Sequence, residues 1–562
     1  MRQSVKTSGL FWFFFIALIL LEFIGFYIYA HANITPFYPA NFDQASFLPI
    51  VYAQYEKIKH AGFIHGFLSS EGLATGPLFI WQTAPWFLLF GASRFSALSL
   101  NFFYFAVLQI IVLLTLRRFT RRWYFSVLII GLLLLMRVPF NSSGGLFDFR
   151  VDFMAFCLYG IVATLVLNSR VFLSRGRTLV AAFAAGALVL LRVITSAYLF
   201  AVFFALLILG LIYLRWAKGP AKADIKMRIK NLLIYQLIVF LFIAPFLWVS
   251  RLALYNYYIV FHVISNEKNI REAAVGVHDW IEALFFYPYN VLRSQIGLHA
   301  IAWVVGLLIL GAYLSFIYRK AIKQSVIANI FSEGSLYLLL AILIPLCVLT
   351  TDTSKSAVVG SIVVVPIVWL TVWLVMAPVL ALKSSRFLTI ACAVLSVLVF
   401  VFAMSYQTRF YAHSMRPVQK QKLEQINRMY NDVGHYIVKH KLPRVNLSVD
   451  QLQGYLTWAS IKVFYYEQHH VMLNINIEQL GGNSVSPISY PEAIKSLKKS
   501  NMVIFQASGP KPAAYYPFNT SVEKMKPKLM AYIHQYFLPL ETYPIGKRNF
   551  TVFVRKNAKG SQ

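Results

Sequence analysis

The segment NSSGGLFDFRVDFMAF, residues 141–156, places three charged side chains at the start of a long apolar run. Asp148 and Asp152 flank Arg150, and the two carboxylates share one face if a helix already includes both. Charged groups at membrane depth are costly, and they mark either a function or a specific pair. Arg150 therefore either pairs with one carboxylate and caps the helix, or belongs to a functional site.

Apolar runs dominate the rest of the chain. Of its 562 residues 59% are hydrophobic, and the mean hydropathy is +0.63, which is typical of an integral membrane protein. A spanning helix needs about 20 mostly apolar residues. This length predicts about eleven spans, at residues 10–30, 95–116, 124–140, 153–169, 178–195, 196–214, 231–250, 299–317, 335–350, 357–382 and 387–404. The segment 76–91 is too short and aromatic for a span and is predicted to form a helix in the membrane interface.

The basic residues predict how these spans are oriented. Lys and Arg concentrate in the loops on one side, which is typical of the cytoplasmic side. An odd number of spans then places the N-terminus in the cytoplasm and residues 405–562 outside. The first apolar run lacks a small-residue cleavage site and is predicted to remain as an anchor. We expect a multi-pass protein of the inner or plasma membrane. Because the cytoplasmic loops account for much of the net charge of +31, nucleic acid binding is not expected.

The chain is predicted to divide into a transmembrane domain, residues 1–404, and an extracytoplasmic α/β domain, residues 405–562. A helix is predicted at 416–440 from the periodic apolar positions. Strands are predicted at 444–449, 470–475, 501–505 and 549–554, and further helices at 491–499 and 522–537. The three cysteines all fall in predicted spans, so neither a disulfide framework nor a zinc site is expected: Cys157, Cys347 and Cys392.

Acidic residues concentrate on the predicted outer side. Ten of the thirteen that precede residue 405 lie in four outer loops: Asp43, Glu56 and Glu71; Asp148 and Asp152; Glu267, Glu272, Asp279 and Glu282; and Asp352. Carboxylates gathered on one face, with a few cations among them, suggest an outward-facing active site. Asp43 also suits a simple role as a helix N-cap.

Cations near the same face are candidates for binding a phosphate. Lys355 lies in a short polar break between two apolar runs, and Arg192 lies near the outer end of a predicted span. Each is equally compatible with snorkelling to the lipid headgroups. The long third loop combines tyrosines, His262, His278 and mixed charge in a polar lining suited to a sugar, and no third ligand suggests a zinc site there.

Taken in order, these segments resemble the GT-C class of membrane glycosyltransferases, over most of residues 10–385. The nearest likeness is to the branch that holds protein O-mannosyltransferases and lipid A aminoarabinose transferases. The resemblance is carried by Asp43 after the first span, GPLFIWQTAPWFLLFGASRFSAL (76–98), RRFTRRW (117–123), FDFRVDF (147–153) and TSKSAVVGSIVVVP (353–366).

The resemblance implies an inverting transferase that moves a hexose or pentose from a polyprenyl phosphate to an acceptor hydroxyl at the outer leaflet. Asp43 is then the expected general base. Lys355, Arg150 and Arg192 are expected to stabilise the leaving phosphate. Asp148 and Asp152 are expected to orient the acceptor or hold Arg150. The remaining substrate-binding candidates are His262, Glu267 and Arg271.

Two departures from the family pattern bear on these roles. Many relatives carry Asp-Glu in the first loop where this chain has Asp43-Gln44, and the Lys355 loop lacks a tyrosine often found before its proline. The oligosaccharyltransferase branch binds a divalent metal through acidic motifs, and Asp43, Asp148 and Asp152 are of the right type. The lipid-monophosphate branch generally has none, so no cofactor or metal is expected.

Two other classes of function compete with an enzyme. A transporter or lipid flippase commonly has related halves and charges midway through its spans, whereas this chain shows no internal repeat and only Glu22 lies well inside a span among the acids. A scaffold whose outer domain binds a partner would not depend on Asp43. The sequence leaves the sugar open, and the acceptor is a lipid, a glycan or a protein.

Overall fold

Long apolar helices make up the first three quarters of the molecule. A computed structural model describes residues 2–37, 42–62, 64, 76–264, 272, 273, 275–324, 328–351, 355–382, 385–413, 420–453, 455–457, 459–480, 488–510 and 517–556. The helices of this part are α1 Arg2–Asn33, α2 Phe42–Ala61, α3 Leu78–Phe90, α4 Arg94–Phe119, α5 Trp123–Leu135, α6 Val151–Asn168, α7 Arg175–Leu191, α8 Thr195–Trp216, α9 Gly219–Val249, α10 Arg251–Leu254, α11 Trp280–Asn290, α12 Leu298–Ile317, α13 Arg319–Gln324, α14 Ala328–Thr351, α15 Val364–Ala381 and α16 Arg386–His413. Short 3₁₀ segments occupy Val138–Phe140 and Ala357–Val363, and π-helical segments occupy Tyr255–Ile264 and Val291–Gly297.

Within the described ranges, ten helical stretches are long and apolar enough to cross a membrane. They match ten of the eleven predicted spans, which confirms a polytopic helical membrane protein. The eleventh prediction, 178–195, corresponds to α7, which has only 17 residues and begins with two arginines. The predicted interface segment 76–91 forms α3, a helix of 13 residues. The last span continues to His413, past the boundary predicted at residue 404.

Helix α6 is the centre of the bundle, since nearly all of its residues are buried. It packs against α15 through Gly160, where an added Cβ would lie 2.7 Å from a methyl group of Val365. One turn further along, the indole N–H of Trp369 donates a hydrogen bond of 2.7 Å to the hydroxyl of Thr164. These contacts fix α6, and with it the charged segment that precedes it.

The C-terminal part is a small mixed α/β unit, as predicted. The strands are β1 Val445–Val449, β2 Ile475–Gln479, β3 Met502–Ser508, β4 Phe537–Ile545 and β5 Arg548–Arg555, and the helices are α17 Lys420–Lys439, α18 Ser460–His469, α19 Tyr490–Lys499 and α20 Pro517–Tyr536. The five strands are ordered β2-β1-β3-β5-β4, with parallel pairs β1–β2 and β1–β3 and antiparallel pairs β3–β5 and β4–β5. Separate apolar clusters cover the two faces of this sheet.

Two strands of this sheet differ from the prediction. The strand predicted at 470–475 begins only at Ile475, because the preceding residues connect α18 to the sheet. Strand β4 was not predicted, since Pro539 and Pro544 argue against a ladder strand. It lies at the sheet edge, where proline is tolerated, and its register shifts between Pro539 and Glu541. Helix α18 was also missed.

A buried ion pair fastens the C-terminal unit to the membrane part. Arg94, the first residue of α4, donates from Nε and Nη2 to the two carboxylate oxygens of Glu467 on α18, at 3.1 and 2.5 Å. The hydroxyl of Tyr52 on α2 donates to the same carboxylate at 2.7 Å, and Tyr466 donates to Glu56 on α2. Burial and the neighbouring Glu467 raise the pKa of Tyr52 well above its ordinary value, so it remains a donor.

We expect Glu467→Gln to loosen this attachment. The substitution leaves the guanidinium of Arg94 buried without a counter-charge, and breaking a buried pair in this way costs about 3–5 kcal/mol. Thermal unfolding of the purified protein in detergent should begin at lower temperature, and limited proteolysis should release the C-terminal unit faster. Glu424→Gln, on the exposed face of α17, is the matched control. Equal behaviour of both variants would contradict the structural role of the pair.

Candidate active site

Arg150 is the centre of a cluster of charged side chains in front of α6. Its guanidinium lies 2.7 Å from a carboxylate oxygen of Asp43, 3.1 Å from Asp152 and 3.8 Å from Asp148. Its Nη1 also donates to the hydroxyl of Ser143 at 2.9 Å. Arg150 stands at the N-cap position of α6 but makes no side-chain cap bond there. Arg150 pairs with three carboxylates, whereas the helix-cap alternative from the sequence gave it only one.

A tight turn ahead of α6 builds this cluster. Gly144 has φ +70, and a Cβ at this position would collide with Val358 of the 3₁₀ segment. The N–H of Gly144 donates to the carboxylate of Asp148 at 2.7 Å, which holds that side chain inward. Asn101 of α4 supports the turn by donating from its amide to the carbonyls of Leu146 and Asp148. The turn therefore requires glycine and fixes Asp148 beneath Arg150.

Asp148 and Asp152 do not share a helix face, because α6 begins only at Val151. Asp148 belongs to the turn and Asp152 to the first turn of the helix, where a carboxylate also interacts favourably with the helix dipole. Both side chains are nearly fully buried. Arg150 is the partner that these two carboxylates share.

Arg192 joins the cluster from the opposite side. It follows the last residue of α7, and its guanidinium pairs with Asp152. Asp152 thus bridges two arginines. The cluster has one negative charge in excess when all of its groups are ionised. Its three carboxylates are Asp43, Asp148 and Asp152, and its two guanidinium groups are Arg150 and Arg192. The ion pairs thus bring these five side chains together.

Asp43 differs from the other carboxylates in its exposure. It is the second residue of α2, so it is not the N-cap, and its side chain reaches across to Arg150. The side chain is 51% exposed, whereas Asp148 and Asp152 are 2% and 3% exposed. Arg150 therefore orients a carboxylate that an incoming group can still reach.

Lys355 lies on a neighbouring segment. It is buried, donates from Nζ to the carbonyl of Thr350 at 2.6 Å, and lies 5.7 Å from the ring centroid of Tyr287. The 3₁₀ segment that follows packs against α6 and, through Val358, against the Gly144 turn. Lys355 is thus tied to the same turn that places Asp148.

Several predicted residues cannot be placed in the site. Glu71, Glu267, Arg271 and Asp352 lie outside the described residues, as does the side chain of His262. His278 is placed, and its backbone N–H donates to Glu282 at 2.6 Å at the start of α11. This is a helix-capping contact, and it gives His278 no link to Arg150.

Sequence reasoning missed the polar side chains that support the cluster. Ser143, Asn101 and Gln44 all contact it, and Gln44 is buried with its amide 3.4 Å from the carbonyl of Phe147. A signal was available for Asn101, since it is a polar residue inside an apolar span. Ser143 lies in a polar turn and Gln44 in the first turn of α2 beside Asp43, where their residue type gives no such signal.

The three carboxylates are directed at a guanidinium and not at a shared point. Among the described residues, no group of three or more His, Cys, Asp or Glu is arranged to hold a metal ion. A divalent cation bound by Asp43, Asp148 and Asp152 would have to displace Arg150 from between them. With Arg150 in place, these residues do not fit a metal site.

Two solved structures have the same fold as this chain. Both are of ArnT from Cupriavidus metallidurans, one bound to undecaprenyl phosphate and one in the apo state. Each is 12% identical to this chain and covers 98% of it and 99% of its own length, with TM-scores of 0.54 and 0.50. No family model and no curated protein matches the sequence. The expected GT-C-like fold, and the likeness to a lipid A aminoarabinose transferase, are confirmed at the level of fold.

The unequal burial of the carboxylates predicts unequal effects of one substitution. Asp152→Asn leaves the partly buried Arg150 and Arg192 without their shared counter-charge, and should lower the free energy of unfolding by about 3–5 kcal/mol. Asp43→Asn, at the exposed end of the cluster, should cost about 1 kcal/mol or less. Unfolding of both variants in detergent, followed by tryptophan fluorescence, measures the difference. Equal destabilisation would show that Asp43 is as structural as Asp152.

Proposed function

We propose that the protein is an inverting glycosyltransferase that takes a sugar from a polyprenyl phosphate and transfers it to an acceptor hydroxyl. The observation that carries this proposal is the half-exposed carboxylate of Asp43, held by Arg150 at one end of a bundle with the fold of ArnT. One of the ArnT structures has undecaprenyl phosphate bound. We extend that ligand class to this chain, and we place the site at the extracytoplasmic face.

Asp43 acts as the general base in this proposal. Its carboxylate removes the proton of the acceptor hydroxyl as that oxygen bonds to the anomeric carbon of the donor. The bond from this carbon to the phosphate oxygen breaks in the same step, so the configuration inverts and polyprenyl phosphate leaves. Asp43 suits this task because Arg150 fixes its orientation while half of its surface stays open.

The cations of the site stabilise the leaving phosphate. Negative charge develops on the phosphate oxygen as the glycosidic bond breaks, and preorganised cations lower the energy of that state. Lys355 is the first candidate, because the Gly144 turn ties its segment to the cluster. Arg150 and Arg192 follow, although Asp152 already offsets much of their charge.

The buried carboxylates have a positioning role. Asp148 and Asp152 hold the guanidinium of Arg150, which in turn orients Asp43. Neither is exposed enough to receive an acceptor in this arrangement. We assign the contacts to the sugar and the acceptor to the third loop. His262, Glu267 and Arg271 remain the predicted residues for these contacts.

Asp43→Asn should abolish sugar transfer while the protein still folds. An amide cannot accept the acceptor proton, and loss of general base catalysis typically slows a reaction by about 10²–10⁴-fold. The measurement is release of polyprenyl phosphate, together with mass spectrometry of envelope glycolipids and glycoproteins in cells that carry each variant.

Two comparisons make this test decisive. Asp43→Glu keeps a base and should retain part of the activity, and Glu424→Gln should behave as the wild type. Full activity of Asp43→Asn would refute the role of Asp43. Lipid translocation without any release of polyprenyl phosphate, in the wild type, would instead favour a flippase.

Lys355→Met should slow the same reaction through the leaving group. Removing one preorganised donor to a developing oxyanion typically lowers turnover by about 10²–10³-fold. Lys355→Arg keeps the charge and should restore part of the rate. The test compares turnover on a polyprenyl-phosphate donor across the three proteins, with thermal unfolding as the check on folding. Undiminished turnover of Lys355→Met would exclude Lys355 from phosphate stabilisation.

A further inference from the structure

A large apolar groove lies at the other end of the bundle from the Arg150 cluster. It has a volume of about 1370 Å³ and runs between α1, α4, α5 and α16. Its walls are almost entirely aliphatic and aromatic, and several of the α1 side chains that line it are more than half exposed. Since these helices are candidate membrane spans, the groove opens sideways toward the lipid.

Two arginines stand at the mouth of this groove. Arg117 and Arg121 both line it, and neither forms an ion pair with a carboxylate that the structure describes. The guanidinium of Arg117 instead lies 4.2 Å from the ring centroid of Phe11. Helix α4 has 26 residues from Arg94 to Phe119, which makes it about 39 Å long. The arginines therefore lie at the membrane face opposite to Arg94 and Asp43.

One polar group inside the groove also lacks a partner. Ser126 of α5 is 2% exposed and lines the groove, and its hydroxyl makes no hydrogen bond with the described residues. A buried hydroxyl without a partner is costly, and most such groups are satisfied by a ligand, water or protein. Trp123, one turn away and half exposed, has the amphipathic side chain that is enriched where a membrane meets water.

We propose that this groove binds one acidic phospholipid of the bilayer, with its phosphate between Arg117 and Arg121. Its acyl chains pack along the apolar wall of α1, and an ester oxygen accepts a hydrogen bond from Ser126. Two guanidinium groups with no carboxylate partner in the described part of the chain select an anionic headgroup, and the sideways opening admits a lipid directly from the membrane. This site is separate from the proposed transfer reaction and does not depend on it.

Native mass spectrometry of the full-length protein in detergent tests this assignment. Phosphatidylglycerol and phosphatidylcholine with the same acyl chains are the probes. We expect one phosphatidylglycerol to be retained in preference to phosphatidylcholine. Arg117→Gln/Arg121→Gln should weaken its binding roughly thirtyfold, from the typical contribution of a basic side chain beside an anionic lipid. Arg175→Gln/Arg215→Gln removes two exposed arginines outside the groove and should leave binding unchanged.

A second variant keeps the test valid if the double arginine variant folds poorly. Ala17→Trp fills the groove from α1 without changing its charge, and should prevent retention of phosphatidylglycerol. Equal binding of the two phospholipids would overturn the proposal, as would wild-type binding by the arginine variant or by Ala17→Trp. Preferential retention of undecaprenyl phosphate, lost in the arginine variant, would also overturn it by assigning a different lipid.

Discussion

The guanidinium of Arg150 links the segment in front of α6 to the start of α2, which is distant from it in sequence. It joins Asp43 at the start of α2, Asp148 in the turn before α6 and Asp152 in the first turn of α6. Charges in such a weakly solvated place persist only when they are paired. The burial of Asp148 and Asp152 therefore requires an arginine, and the arginine in turn fixes where α2 begins relative to the bundle. Helix packing sets the position of α6, and the ion pairs of Arg150 then fix the start of α2 and the turn before α6 relative to it.

The two ends of α4 illustrate how charge divides the molecule. At one end Arg94 is buried against Glu467, so the C-terminal unit is attached through α18 to both α2 and α4. Since α2 also carries Asp43, that unit helps to hold the helix of the exposed carboxylate. At the other end Arg117 contacts aromatic rings of α1. One end of α4 thus holds its arginine in a buried ion pair, and the other end presents an arginine to aromatic rings.

The sequence predicted the membrane fold and the cluster better than it predicted their details. Apolar runs of about 20 residues are a strong signal, so ten of the eleven predicted spans correspond to helices long enough to cross a membrane, and the eleventh corresponds to α7, which has 17 residues. Strand β4 was missed because two prolines mask an edge strand. Asp43, Arg150 and Arg192 were identified by charge near apolar runs. Pairing of Arg150 with a neighbouring carboxylate was also expected, whereas its contact with Asp43 and the contact of Arg192 with Asp152 were not, because tertiary packing decides which residues distant in sequence meet.

The departure at Gln44 shows how the cluster separates structure from chemistry. The family pattern that the sequence resembles has a carboxylate at this position, and here a neutral amide is buried beside the carbonyl of Phe147. A glutamate there would place another negative charge next to a cluster that already has one in excess, and it could not donate to the carbonyl. Gln44 therefore ties α2 to the turn before α6 without adding charge. Gln44, Asp148 and Asp152 all hold the turn or Arg150, and Asp43 is the carboxylate of the cluster whose side chain stays half exposed.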